Sequence, residues 1–202
     1  MTRTEARAAD AALARGAGPV AVRPGRLVVT VGVVTALWCL GFAAFNVWFE
    51  ATDRFSTGEY ADAEDALSVM NWVVTVLKLV GAGAALLSIR RRPVAPRSVG
   101  VVLWGAFATV TVYVVGSIAF VVAILAGVAG DVDTLDGRSI AYVAAFLLAA
   151  AGFGILAASF QRRARPGART VLLGICGAPV VLGGVLVVGP AILEAAGLMS
   201  AR

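Results

Sequence analysis

Five apolar runs, each about twenty residues or longer, fill most of this 202-residue chain and leave only short charged loops between them. A soluble domain of this length would have to bury all five at once. Hydrophobic residues make up 60% of the chain and charged residues 14%, far from the roughly one-quarter charged content of a soluble domain. A run of about 18 or more apolar residues is long enough to cross the hydrocarbon core as a helix. The runs are too long for barrel strands and lack their period-two alternation, which leaves helix as the spanning form. The expected fold is an all-α integral membrane protein, a bundle of five transmembrane helices.

The spans are expected at about 27–49, 67–89, 99–128, 140–160 and 171–193, forming one domain over 26–196. Residues 1–25 read as a mobile cytoplasmic tail and 197–202 as a short outer tail. Span one exceeds the core of a signal peptide, about 7–15 residues, and reads as an uncleaved anchor rather than a leader cut near Ala43. Span three is the longest. At 1.5 Å per residue it measures roughly 45 Å against about 30 Å of hydrocarbon, so it must tilt, bend near Gly116 or project beyond the membrane.

The loops alternate in charge, and this sets the threading. Thirteen of the sixteen arginines lie in the N-terminal tail, in 90–97 and in 162–169, against Arg54, Arg138 and Arg202 on the other side. Basic flanks stay cytoplasmic, which places the N-terminus in the cytoplasm and the C-terminus outside. Ten of the twelve acids fall on the outer side. Trp48, Phe49 and Trp72 mark the outer interface and Trp104 the inner one. Sixteen arginines against one lysine, with heavy use of Ala, Val and Gly, is the composition of a GC-rich bacterial genome, so the expected address is a bacterial plasma membrane.

The same distribution excludes several functions. A net charge of +5 suggests nucleic acid, but the basic residues sit in short flanks and form no stripe on a soluble domain. Cys39 and Cys176 lie inside apolar runs, there is no CxxC and no histidine, and neither a metal site nor a cofactor is expected. Asp131, Asp133 and Asp136 resemble part of a calcium loop. Leu135 at the third ligand position and the missing closing glutamate break the pattern. P-loop, GxSxG and HExxH motifs are absent, so no enzyme is expected. An enzyme would need an outer cleft holding two or more of Glu50, Asp53 and Glu194.

Arg-Pro motifs precede spans one, three and five, at Arg23-Pro24-Gly25-Arg26, Arg92-Pro93 to Arg97, and Arg165-Pro166 to Arg169. A duplicated hairpin would produce this, but proline at helix starts and arginine at inner flanks account for it without one.

One charge is not explained by topology. Lys78 is the only lysine and falls near the middle of span two. A charge there costs at least about 2.5 kcal/mol, so it should face the bundle interior or a wet cavity. Asn71, Thr75, Lys78, Gly81, Ala82 and Ala85 share one helical face, whereas Val76, Leu79 and Leu86 lie on others. The side chain should lean toward Thr75 and Asn71, and the expected partners are Thr109, Thr111, Tyr113 or Ser117 of span three, water, or carbonyls. Pro179 is the second candidate, because it frees the carbonyl of Ile175 in a glycine-rich span. The leading expectation is a non-enzymatic accessory or scaffold subunit, packing through Gly/Ala-rich faces as a homo-oligomer or within a larger membrane complex. The alternative is a small transporter or channel component, with Lys78, Asn71, Thr75, Tyr113 and Pro179 along a substrate or ion path.

Overall fold

The computed structural model describes residues 23–56, 64–128, 130 and 136–195, with side chains described through Val180 and at Gly183 and Gly184. Residues 1–22 of the expected tail at 1–25, the expected tail at 197–202 and the aspartates at 131 and 133 lie outside the described residues. Among the described residues the chain is all-helical. It has five helices: α1 (Arg26–Ala51), α2 (Glu64–Ser88), α3 (Pro96–Leu125), α4 (Gly137–Ala164) and α5 (Ala168–Ala195). The first four are long and apolar enough to cross a membrane. In α5 the described apolar stretch is Ala168–Val180.

Local sequence sets the ends. Glu64 and Asp65 occupy the first turn of α2, where their charge meets the positive end of the helix dipole. Pro96 opens α3 at a position where its missing N–H costs nothing. Asp136 caps α4 by accepting from the Ser139 amide at 2.8 Å. α3 closes on Gly127, whose φ of +69° lets Val128 N donate to Ala123 O and Gly127 N to Ile124 O, both at 2.9 Å. That crossed pair satisfies two terminal carbonyls and needs the left-handed residue between them. α1 ends the same way, with Asp53 at φ 48° in the left-handed position.

α1 to α4 form an antiparallel bundle. α1 packs closely on α2, α3 on α4, and α4 meets α1; the α2–α3 seam is light and the α2–α4 contact lighter still. α5 lies outside the four and packs on α3. Its approach is made by small residues. A Cβ added to Gly174 would stand 2.6 Å from Trp104 Cβ and 2.8 Å from Val101 O, and one on Gly105 would stand 3.2 Å from Ala178 Cβ. Thr170, Gly174 and Ala178, one turn apart, therefore form the α5 side of this contact, as small residues do where two helices meet without a hydrophobic driving force. α5 stays helical through Pro179.

The core lies toward the arginine-rich end. Ala36 and Cys39 of α1, Ala82 and Ala85 of α2, Leu103 of α3 and Phe153, Leu156 and Phe160 of α4 are all buried there. Along the rest of the bundle, large apolar side chains face outward, among them Leu148 (73% exposed), Val115 (60%) and Phe120 (59%). Exposed apolar side chains of this number are compatible with a membrane protein.

Candidate functional site

The α1–α2 seam carries the main polar constellation. α2 contributes Ser68, Asn71, Thr75 and Lys78, at steps of three, four and three that keep them on one face. α1 contributes Asn46 and Glu50, one turn apart and running the opposite way. Antiparallel pairing brings the two stripes together as a ladder descending from the acidic end of the bundle.

At the top, Ser68 Oγ donates to Glu50 Oε1. Asn71 Nδ2 uses both of its protons, donating to Glu50 Oε2 and to the Asn46 carbonyl, each at 3.0 Å. The Asn46 carboxamide Nδ2 donates to Phe42 O at 3.2 Å, and its Oδ1 accepts from Thr75 Oγ1 at 3.2 Å and Lys78 Nζ at 3.3 Å. Thr75 has a single hydroxyl proton, so that bond alternates with its donation to the Asn71 carbonyl at 2.7 Å. Lys78 Nζ also stands 4.9 Å from the centroid of the Phe42 ring, within range of a cation–π interaction. The ammonium forms no ion pair among the described residues; two carboxamides separate it from Glu50.

The floor below Lys78 is closely packed. A Cβ on Gly81 would stand 3.3 Å from Phe153 Cζ and 3.5 Å from Cys39 Sγ, so the α1–α2 seam closes there against α4. Beside it, Phe42 and Trp38 of α1 pack on Phe146 of α4 at centroid distances of 5.6 and 5.2 Å, and Tyr113 of α3 stacks on Phe146 at 4.4 Å.

The expected α2 face is the one that packs. Thr75, Gly81, Ala82 and Ala85 are buried and Asn71 and Lys78 half-buried, while Val76, Leu79 and Leu86 are exposed. Lys78 leans toward the level of Thr75, as its position on the helix requires. Its partner differs from the expected set. Lys78 meets Asn46 of α1, and not Thr109, Thr111, Tyr113 or Ser117 of α3. The reason is packing: α2 lies tightly on α1 and only lightly on α3. Tyr113 belongs to the aromatic wall, and the buried Thr111 hydroxyl has no partner among the described residues. Pro179 is half-buried in α5, which packs on α3, so it is not part of the ladder.

Asn46 and Ser68 are the residues that a search for isolated charges passes over. Their signal is the matched spacing of two polar stripes on consecutive helices. Of the acids expected on the outer side, Glu50 is taken into the ladder, Asp53 is exposed in the α1 cap, and the Glu194 side chain lies outside the described residues. Among the described residues no three His, Cys, Asp or Glu side chains gather as a metal site. No family model, no curated protein and no solved structure matches this chain.

Proposed function

We propose that this chain is a multi-pass protein of a bacterial plasma membrane, threaded with its N-terminus in the cytoplasm and its C-terminus outside. Its role in this reading is that of a non-enzymatic accessory or scaffold subunit. The supporting observation is the course of the polar ladder. It starts at Glu50, hands its hydrogen bonds down through Asn71 and Asn46 to Lys78, and stops at the Cys39–Gly81–Phe153 floor. Its polar groups bond to one another across the seam and lead into the buried apolar core rather than through it. Such a ladder fixes the register of one helix on another, a known use of polar side chains in lipid.

The surfaces left for a partner are small-residue positions. Gly41, Gly83, Gly116, Gly177, Gly183 and Gly184 have nothing within 4 Å of where a Cβ would sit, which lets the backbone of a second copy or of a larger complex approach closely.

The alternative, a small transporter or channel component, draws its support from Lys78, which is only half-buried and whose oxygen acceptor also serves Thr75. Purified protein in liposomes separates the two readings. The accessory reading expects no solute or ion flux from the protein alone, and co-purification as a larger assembly. Flux that Lys78→Ala abolishes would overturn it in favour of the transporter.

A further inference from the structure

At the arginine-rich end, the start of α1 and the last turns of α4 enclose a cleft of about 470 Å³. Arg23, Arg162, Arg163 and Ser159 supply its polar lining, and Val28 and Ile155 its apolar walls. Among the described residues no carboxylate lines it. Like charges gathered at one cavity favour an anion between them.

Arg163 donates from Nη2 to the Ser88 carbonyl at 2.5 Å, and its Nε and Nη1 are buried, so its guanidinium stands behind the cleft and adds positive charge to it. Arg23 and Arg162 are exposed and line the cleft, and a guanidinium fork matches the paired oxygens of a phosphate. The apolar walls narrow the ligand further. Val28 belongs to the first turn of α1, and Ile155 is 41% exposed one turn before Ser159. A bare anion needs only the arginines, whereas a lipid needs the arginines for its headgroup and an apolar wall for its chains.

We infer that this cleft binds a phosphate ester, supplied by the headgroup of an anionic phospholipid in the leaflet at the arginine-rich end. Arg23 and Arg162 hold the phosphate oxygens, the Ser159 hydroxyl donates beside them, and the acyl stem lies along Val28 and Ile155. The lipid source rests on the membrane reading above; a soluble phosphate ester would meet the same donors.

Native mass spectrometry of the protein in mixed micelles tests this by comparing retained phosphatidylglycerol with phosphatidylcholine. The wild type should retain phosphatidylglycerol about tenfold over phosphatidylcholine, the effect of one charge-assisted hydrogen bond. Arg162→Ala and Arg23→Ala should each remove most of that preference. Arg169→Ala, an exposed arginine outside the cleft, should leave it unchanged. Displacement of the lipid by millimolar glycerol phosphate would uphold the site and identify the soluble ester as its ligand. Equal retention of the two lipids, or a preference that survives the Arg23→Ala/Arg162→Ala double variant, would overturn the proposal. Flotation with neutral liposomes is the separate check on the membrane reading. Protein that floats yet shows no lipid preference refutes the site alone, and protein that fails to float refutes the membrane reading.

Discussion

Lys78 of α2 donates to the carboxamide of Asn46 on α1, with its Nζ 3.3 Å from the oxygen. The pair joins two helices at the one place where the polar stripe of each ends and the apolar core begins. Asn46 is the only side chain among the described residues that offers the ammonium a hydrogen-bond acceptor.

Breaking this pair from one side should cost more than removing it whole. Asn46→Ala leaves the ammonium without its acceptor and should destabilise the α1–α2 hairpin by about 1 kcal/mol, the scale of interhelical hydrogen bonds in membrane proteins. Lys78→Met removes the charge and keeps the apolar stem, so the double variant should be at least as stable as Asn46→Ala alone. Unfolding in mixed micelles of the single and double variants gives the coupling energy. A coupling near zero would mean that the contact does not hold the seam.

The α3–α5 contact depends on the absence of a side chain at Gly174. Gly174→Leu drives a side chain into Trp104 and the Val101 carbonyl and should cost about 1–3 kcal/mol by overpacking. Gly177, with nothing within 4 Å of its Cβ position, should accept Leu without loss of monomer stability. If the accessory role runs through that face, Gly177→Leu should lower the assembled mass seen by light scattering. An unchanged assembly would exclude Gly177 from the interface.

The start of α4 should loosen in acid. The Asp136 carboxyl is held below its usual value, chiefly by its hydrogen bond with Ser139. A carboxylate whose value is depressed in the folded state stabilises that state above the ordinary carboxylate range and loses the effect as pH falls through its folded value. Hydrogen exchange at the Ser139 and Ile140 amides should therefore rise, relative to the chemical rate, as pH drops below about 4. Asp136→Asn keeps a capping oxygen without the titration and should flatten that dependence. An equal acid response in Asp136→Asn would assign the effect to another group.

The threading is tested by placing single cysteines at Glu59, Arg92 and Asp133 in a chain freed of Cys39 and Cys176. An impermeant maleimide added to intact cells should label positions 59 and 133, and position 92 only after lysis. Labelling of 59 and 133 from the cytoplasmic side alone would reverse the topology.

Helix existence was legible because length and hydropathy are local properties. The expected span at 99–128 appears as Pro96–Leu125 and the one at 67–89 as Glu64–Ser88, each shifted by a few residues where caps and first-turn acids extend or close the helix. The face of α2 was legible too, because Thr75, Lys78, Gly81, Ala82 and Ala85 follow the helical period. The partner of Lys78 was not. Periodicity fixes which side of a helix is polar, but it does not fix which neighbour that side meets.

The five apolar runs, the alternation of charge between their loops and the isolation of Lys78 were all determined by the sequence alone, since each follows from composition read against helix geometry. The tertiary structure decided that Lys78 faces Asn46 rather than α3, that Glu50 joins the ladder through Asn71, and that α5 lies on α3 outside the other four helices. Those outcomes depend on close approach at Gly81, Gly105 and Gly174 and on the antiparallel register of α1 and α2. Contacts of that kind arise only when separate helices are brought together, and no single run of sequence contains them.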